Sequence, residues 1–424
     1  MSHSCREYTE LSRRRFLVGS VAAATAVASP AWLPRVAMAQ GFSSRDVLIH
    51  IYLRGGVDAL TLAVPYAEPL YYALRPTVDI PQPDSSSTRK AIDLDGFFGL
   101  PPSLAALVEP YRARQLAIVH AVGAPNWSRS HFDAQRLMEA GLSSQTPVSG
   151  WLGRHLRTTS PAKFGSQLRG VSLTRGLRRT LVGGPQSLAI RVLADFGDSG
   201  GWENQAELSS YIQDSYSLMS EPLRSIAGDT QKTIELLKRI DFVSYRPAGG
   251  AVYPAHDFAV ALRSTAALIK ADLGVEAIHL DLDGFDTHSN QGSKDGYLDK
   301  LLTVLGDSLG AFWKDMSGSN RKDWTSVVVS EFGRTARENG SRGTDHGTAG
   351  AMILMGPNVK GRRVYTDWPG LRDDQLFQQA DLAPTIDFRD ILAEVCARRL
   401  GNTNLAAAFP NFTPNFRNVV NSSK

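Results

Sequence analysis

Three short polar clusters in the C-terminal third of the chain carry residue types that could do chemistry. They span residues 283–288, 330–335 and 343–347. Residues 275–282 precede the first cluster and residues 325–329 the second, and both runs have the apolar, β-branched look of buried parallel strands. Ligands and metals gather beyond the carboxyl ends of strands in open α/β sheets. Carboxylates and imidazoles on Gly-rich turns at those ends predict a metallohydrolase-like site.

Within these clusters, five residues are candidate metal ligands. Asp286 and His288 are two apart on one turn, so both can face a single ion. Glu331 follows a hydrophobic strand directly, and Asp345 and His346 lie between glycines. A buried carboxylate such as Glu331 needs a partner, which could be a metal or a neighbouring arginine. The alternative for the whole set is a structural network of ion pairs and hydrogen bonds.

Two earlier segments add candidates of their own. Asp58 follows an apolar run on a Gly-Gly turn, and it is either a metal ligand or a turn residue that caps a helix. Ser130 stands at the predicted N-terminus of a helix, where N–H groups and the helix dipole stabilise an anion, so it is either an activated nucleophile or an ordinary N-cap. Ser128 is a neighbouring candidate. His131 is a base, a ligand or an exposed residue of the first helical turn.

Apolar runs and amphipathic stretches alternate along the chain. Residues 47–53 and 116–122 read as strands, and residues 258–273 and 297–316 read as amphipathic helices. This alternation predicts an α/β fold with a mostly parallel central sheet flanked by helices. Residues from about 150 to 250 carry Gly/Arg-rich turns and a long polar helical stretch, so we expect an inserted cap region there.

The N-terminus predicts where the protein works. Residues 12–17 match the twin-arginine export motif, and an Ala-rich segment follows with a small-residue cleavage site at Ala37-Met38-Ala39. We therefore expect residues 1–39 to be a signal peptide and residues 40–424 to be one mature domain. The mature protein would be periplasmic or secreted, without a stable membrane anchor.

Charge and cysteine content narrow the class further. The full sequence has 46 basic and 42 acidic residues, and the predicted signal holds five of the basic and two of the acidic ones. The mature chain therefore keeps 41 basic and 40 acidic residues, a net charge of +1. Nothing in that balance favours a nucleic-acid partner. Cys396 is the one cysteine of the mature sequence, since Cys5 falls in the signal, and its helical spacing predicts a core position.

The clusters in this order resemble the alkaline phosphatase and sulfatase superfamily, and most closely the family known as domain of unknown function 1501. The resemblance covers essentially all of the mature chain. The segments that carry it are 53–58, 130–132, 284–288, 330–335, 343–347 and 381–385.

The resemblance implies a fold and a set of roles. The fold would be alkaline phosphatase-like, with divalent metal, zinc in first place and calcium or manganese as alternatives. Asp58 would match the N-terminal ligand and Ser130 the nucleophile. Asp286, His288 and His346 would share one metal, with Asp283 as an alternative to Asp286.

The resemblance also implies a second metal, bound by an Asp-His pair. Glu331 would match the Asp of an Asp-His pair, but Phe332 stands where that His would be and cannot bind a metal. The sequence also lacks the Cys-x-Pro-Ser-Arg signature of sulfatases, which argues against formylglycine chemistry. Arg334, with its bidentate donors, is a candidate oxyanion clamp.

Three functions are consistent with this sequence. The first is an exported metal-dependent hydrolase or transferase of phosphate or sulfate esters, acting on a small-molecule or polymer-borne substrate. The second is a non-catalytic exported binding or assembly protein that retains the fold, and Phe332 favours it. The third is a metal-free serine hydrolase built on Ser130 and a histidine, which no Gly-x-Ser-x-Gly elbow supports.

Overall fold

The structure is a computed structural model that describes residues 45–124, 128–143, 148–166, 168–191, 193, 232–233, 235–237, 240–242 and 244–423. The predicted signal peptide lies outside the described residues, and so does most of the predicted polar helix between 204 and 240. The chain divides into two compact units. One comprises Met1–Ser43 and Ala194–Tyr245, and the other comprises Ser44–Leu193 and Arg246–Lys424. The second unit contains every candidate site residue.

A nine-stranded sheet forms the centre of this second unit, and a separate two-stranded hairpin accompanies it. The strands are β1 (Val47–Arg54), β2 (Ile92–Asp93), β3 (Gly99–Leu100), β4 (Leu116–Gly123), β5 (Gly170–Ser172), β6 (Ser187–Ala189), β7 (Ala277–Asp283), β8 (Trp324–Ser330), β9 (Gly350–Met355), β10 (Arg363–Tyr365) and β11 (Ile386–Asp387). The large sheet has the order β10-β4-β9-β8-β1-β7-β5-β6, and β11 also pairs with β4. Only β9 runs antiparallel to its neighbours, so the sheet is mostly parallel, as predicted.

Helices flank the sheet. They are α1 (Ala59–Leu62), α2 (Pro69–Leu74), α3 (Val108–Arg112), α4 (His131–Ala140), α5 (Trp151–Thr158), α6 (Asp257–Ala271), α7 (Tyr297–Ser317), α8 (Phe388–Arg398) and α9 (Leu405–Ala408), with 3-10 turns at Pro102–Leu107 and Arg179–Leu181. The central strands β1, β4 and β8 are buried along almost their whole length, which explains why their sequences are continuous apolar runs. The α/β class inferred from the sequence is confirmed.

The register of the central strands sets where the site lies. Arg54 at the end of β1 pairs with Asp283 at the end of β7, and Leu53 pairs with Ser330 at the end of β8. The antiparallel β9 begins at this same edge, since its first residue, Gly350, pairs with Val122 near the end of β4. Loops that follow β1, β4, β7 and β8, and the loop that precedes β9, therefore meet at one edge of the sheet.

The structure adds detail to two further expectations. Within the region expected as a cap, Gly170–Ser172 and Ser187–Ala189 belong to the central sheet, because each pairs in parallel with its neighbours. Cys396 is a buried free thiol on α8, as its helical spacing predicts, and burial raises its pKa. Within the described part of the chain, no helix combines the length and apolarity needed to cross a membrane.

Candidate metal centre

Close backbone packing brings the strand-end loops together. Gly55, directly after β1, has a φ of +117°, and a Cβ there would lie 2.5 Å from the amide nitrogen of Asp286. Only glycine tolerates both the conformation and the contact. The loops after β1 and β7 can therefore touch, which fixes the position of the Asp286 carboxylate at the sheet edge.

Three histidines, one at the start of α4 and two in different loops, converge on the carboxylate of Asp286. The distance from Asp286 Oδ1 to Nε2 is 3.4 Å for His131, 3.1 Å for His288 and 3.1 Å for His346. His288 Nε2 and His346 Nε2 lie 2.9 Å apart. His131, Asp286 and His346 each offer a ligand atom within 4.8 Å of the others, and no second group of three or more His, Cys, Asp or Glu residues meets that criterion among the described residues.

Each of the three rings is held from behind through Nδ1. The acceptor is Glu331 Oε1 for His131, at 2.8 Å, and Asp345 Oδ1 for His288, at 2.8 Å. For His346 the acceptor is a backbone carbonyl, that of Arg129, at 2.7 Å. A hydrogen bond from Nδ1–H assigns the proton to that nitrogen, so each Nε2 carries a lone pair directed into the cluster. Carboxylates and carbonyls behind metal-bound histidines orient ligands in just this way.

The residue types and spacing of this cluster fit a divalent cation. Tetrahedral zinc with ligands about 2.0–2.1 Å away requires ligand atoms about 3.3 Å from one another. The three distances from Asp286 Oδ1 to the histidine Nε2 atoms, 3.1 to 3.4 Å, are close to that spacing. His131 Nε2 is buried and has no hydrogen-bond partner among the described residues. Two lone pairs facing each other at 2.9 Å, as in His288 and His346, repel unless a cation lies near them.

The surroundings of the cluster favour an ionised Asp286 carboxylate, and they shift the pKa values of His131 and His346 in opposite directions. Burial opposes ionisation of Asp286, but the hydrogen bond and the positive charge of Arg334 lower its pKa to about 2. The hydrogen bond to Glu331 raises the pKa of His131. Burial lowers the pKa of His346, which favours the neutral ring that metal binding requires.

Arg334, expected as an oxyanion clamp, has a different position. Its side chain is fully buried, with Nε donating to Gly56 O at 2.6 Å and Nη1 to Thr344 O at 3.0 Å. Nη2 donates to Asp286 Oδ1 at 2.6 Å and also to backbone carbonyls of the β1 and β7 loops. Its donors are directed at the protein and away from solvent, so in this structure Arg334 positions Asp286 and does not face a substrate.

Asp58 is not brought to the cluster. Its Oδ2 forms a buried ion pair with Arg75 Nη1 at 2.6 Å and accepts hydrogen bonds from Thr61 at 2.6 Å and Gln291 at 2.8 Å. Burial raises the pKa of Asp58, and the Arg75 guanidinium with these hydrogen bonds lowers it below its usual value. Nor does its side chain cap α1, so the structure places Asp58 in an internal ion-pair network. The physical reason is Arg75, a buried cation that needs a carboxylate.

Asp345, Glu331 and Asp283 also take positions other than metal ligand. Asp345 accepts a hydrogen bond from the ring of His288, and Glu331 accepts one from the ring of His131. Each carboxylate therefore supports a candidate ligand and is not itself a ligand. Glu331 Oε1 additionally accepts from Gly55 N at 2.9 Å. Burial raises the pKa of Glu331, and these hydrogen bonds lower it overall. Asp283 lines a separate cavity, so Asp286 is the aspartate that joins the histidines.

Ser130 lies beside the cluster, because it immediately precedes His131. It is the N-cap residue of α4, yet its hydroxyl makes no capping hydrogen bond. Its backbone N–H donates to Ser128 Oγ at 3.2 Å, so Ser128 occupies the role of a local turn residue. Among the described residues, the Ser130 hydroxyl has no hydrogen-bond partner. That hydroxyl and the N–H groups of the first turn of α4 are the features that a nucleophile next to an anion would need.

Phe332 packs against two of the histidine rings of the cluster. Its ring centroid is 4.8 Å from that of His131 and 4.9 Å from that of His346, and the side chain is buried. Gly56 allows this packing, since a Cβ there would lie 2.4 Å from Phe332 Cε2. An apolar ring thus occupies the place where the resemblance implies a histidine for a second metal, beside Glu331.

Sequence reasoning missed several supporting residues. Gln135 donates to Glu331 Oε1 at 2.7 Å, and Asn339 donates to Asp345 Oδ1 at 3.0 Å. A signal for Gln135 was present, because residues four apart on a helix share a face and His131 is four residues earlier. For Asn339 and for the carbonyl of Arg129, no pattern in the sequence indicates the contact.

Comparisons with known proteins give a family and distant structural similarities. The family model described as "Protein of unknown function (DUF1501)" matches residues 98–408, well over half of the chain. A search of curated proteins gave no match.

Three solved structures are similar to this chain at low identity. A protein in the alkaline phosphatase superfamily from Vibrio parahaemolyticus is 12% identical with a TM-score of 0.31. The match covers 84% of this chain and 72% of that protein. The protein Ps i-CgsB, solved in complex with k-i-k-neocarrahexaose, is 8% identical with a TM-score of 0.37, covering 89% and 75%. Alkaline phosphatase from the Antarctic bacterium TAB5 is 10% identical with a TM-score of 0.31, covering 76% and 94%.

Proposed function

This chain belongs to the DUF1501 family, and from the geometry of its site we propose that it is an exported, metal-dependent hydrolase or transferase of phosphate or sulfate esters. The observation that carries the proposal is the convergence of three imidazole Nε2 atoms on Asp286 Oδ1, each ring held by an acceptor behind it. Structural zinc sites fill all four ligand positions, whereas hydrolytic sites keep or gain a position for substrate. The exposed side of Asp286 and His288 leaves the cluster open to solvent.

The proposed site has residues that would bind the metal and a residue that positions them. His131, Asp286 and His346 would supply three ligands of one divalent cation, with zinc preferred for that ligand set, and His288 would lie at the open side of the site. When bound, such a cation polarises the ester oxygen and lowers the pKa of a coordinated hydroxyl or water. Arg334 keeps the Asp286 carboxylate ionised and in place.

Ser130 is the residue that we assign to nucleophilic attack. Its hydroxyl is free of capping bonds and it precedes a ligand histidine in the chain. The first turn of α4 presents N–H groups with the positive end of the helix dipole, which would stabilise negative charge on the transferring group. The chain's own contribution is therefore to orient the hydroxyl and to hold the anion beside it.

One observation favours a second candidate function. Phe332 packs on the rings of His131 and His346 where a second metal would need a polar ligand. A single-metal site could serve an exported binding or assembly protein that has lost the chemistry. Turnover separates the two functions, since both would retain metal.

We further propose that the protein is exported by the twin-arginine pathway, on the motif at residues 12–17 and the cleavage site before Gln40. Because that pathway transports folded proteins, metal could enter the site before export. The mature protein would then act in the periplasm or outside the cell on small-molecule or polymer-borne esters.

The deciding experiment combines metal content with turnover. Protein purified without added metal is measured by elemental analysis, then reloaded separately with zinc, manganese and calcium, and screened with phosphate monoesters, phosphate diesters and sulfate esters. We expect about one zinc per chain and ester hydrolysis that a chelator abolishes. Stoichiometric metal without turnover on any ester class would favour the binding protein, and absence of bound metal would contradict both.

A further inference from the structure

A cavity of about 450 Å³ opens along helix α4 beside the metal centre. Two of its lining residues, Gln135 and Glu139, lie four and eight residues after His131. Residues at this spacing share one face of a helix, with a rise of about 1.5 Å per residue. The cavity therefore begins roughly 6 Å from the metal ligand along the helix axis and extends to roughly 12 Å.

Among the residues that the structure describes, the charges at this cavity leave one arginine side chain without a partner. Arg54 is neutralised by Glu139 Oε1 at 2.7 Å and by Asp281 Oδ1 at 2.9 Å. Arg178 is paired with Asp281 Oδ2 at 2.5 Å. Arg179 lines the same cavity, and its guanidinium forms no ion pair or hydrogen bond with any residue that the structure describes. Counting Arg54, Arg178 and Arg179 against Glu139 and Asp281 leaves one uncompensated positive charge, carried by Arg179.

The turn that presents Arg179 is held firmly. It forms the start of the 3-10 turn Arg179–Leu181, whose Thr180 and Leu181 side chains are buried. Gly150 packs directly on it, since a Cβ at Gly150 would lie 1.9 Å from Arg179 O, and Gly150 N donates to Val182 O at 3.0 Å. A guanidinium on a fixed turn loses less freedom on binding an anion than one on a mobile loop.

The rest of the lining is apolar. Val148 and Leu177 are both exposed, and Val182 completes the wall. A second cavity, of about 280 Å³, lies on the other side of the Arg178–Asp281 pair, but no residue of α4 lines it. Of the two cavities, the one along α4 is thus the one lined by the helix that carries His131.

Resting on the proposed function, we propose that this cavity is a subsite for a second anionic group of the substrate, bound by Arg179. The substrate class would be an ester that carries at least two phosphate or sulfate groups, separated by an apolar or carbohydrate spacer. One group reacts at the metal centre, and the other lies roughly 6 to 12 Å away along α4. A guanidinium binds either anion through paired N–H donors.

The test compares two non-hydrolysable probes, hexane bisphosphonate and hexyl phosphonate, by isothermal titration calorimetry on the zinc-loaded full chain. The wild type should bind the bisphosphonate about tenfold more tightly, the effect of one charge-assisted contact. Arg179→Gln should remove that advantage. Arg175→Gln is the matched control, because Arg175 is an exposed arginine of the same segment that lines only the other cavity, and it should leave the advantage intact.

The same titration in chelator-treated protein separates this inference from the proposed function. Without metal, hexyl phosphonate should bind weakly at Arg179, with a loss of affinity in Arg179→Gln and none in Arg175→Gln. That result supports the subsite even if no ester is ever turned over. Equal affinities in the wild type and both variants, for both probes and with melting temperatures unchanged, would overturn the subsite whether or not the protein is a hydrolase.

Discussion

His288 Nε2 and His346 Nε2 face each other at 2.9 Å, although each ring already donates its Nδ1–H to another acceptor. Two imidazoles in these tautomers have no proton to share between the facing nitrogens. Holding two such lone pairs against each other beside an anionic carboxylate is unfavourable unless a cation binds there. This relationship is the basis of the first prediction.

His288→Ala and His346→Ala should each lower metal content and thermal stability together. Metal that binds only the folded state stabilises it by about 2.7 kcal/mol when its concentration is a hundredfold above Kd. Elemental analysis and thermal melts with and without chelator measure both effects. His256→Asn, a change at an exposed histidine that keeps a side chain able to cap α6, is the control. Full metal occupancy in both alanine variants would contradict the proposed site.

Asp345→Asn should weaken metal binding by roughly 10- to 100-fold without abolishing it, the usual effect of losing the carboxylate behind a histidine ligand. The reason is that Asp345 orients His288 and does not reach the cluster. Competition with a chromogenic chelator gives the affinities. Asp133→Asn, on the exposed side of α4, should have no effect. A complete loss of metal in Asp345→Asn would instead make Asp345 a direct ligand.

Ser130→Ala should reduce ester turnover by at least about 100-fold while metal content and melting temperature stay unchanged. The stability cost is small because the hydroxyl makes no capping bond. Ser128→Ala provides the matched control, with the same chemical change two residues away. If Ser130→Ala retains turnover and Ser128→Ala loses it, the nucleophile assignment moves to Ser128.

Acid should destabilise the protein through buried His120. Burial lowers the pKa of His120 to about 4, and its ring bonds the carbonyls of Ala59 and Ala63. Between pH 6.5 and 4 the unfolded chain takes up a proton that the folded chain excludes, so stability is full above 6.5 and falls as pH drops. The loss is about 3 kcal/mol at 1.36 kcal/mol per pKa unit.

Urea unfolding at pH 4.5 and pH 7 measures that loss. In His120→Gln, whose amide can donate to the same carbonyls, the difference between the two pH values should shrink. The pH dependence will not vanish, because burial also lowers the pKa of His155, to about 3. An unchanged pH dependence in the His120 variant would show that other groups account for acid sensitivity.

Changing Arg13 and Arg14 together to Lys should leave the precursor in the cytoplasm, since the export receptor reads the guanidinium pair. Cell fractionation with an antibody against the mature protein gives the distribution. Arg6→Lys, outside the motif, should be exported normally. Mature protein in the periplasm at the wild-type level, despite the double change, would rule out this export route.

The sequence by itself determined the class of the fold and the neighbourhood of the site. Residues 47–53 and 325–329 are rich in apolar and β-branched side chains, which predicts buried strands, and the structure has β1 and β8 there. The polar clusters that follow these strands had to meet, since carboxyl ends of parallel strands share one edge. Local periodicity also located α4, α6 and α7 within a few residues of their observed bounds.

Only the tertiary structure decided which polar residues would contact one another. Asp58 and Asp286 both follow a strand, but the first is paired with Arg75 and the second with three histidines. Glu331 bonds His131, 200 residues away in the sequence, and thereby becomes a support for a ligand. Such choices depend on where a buried cation or imidazole ends up after packing, because a carboxylate removed from water must take whichever partner the surrounding loops bring within reach.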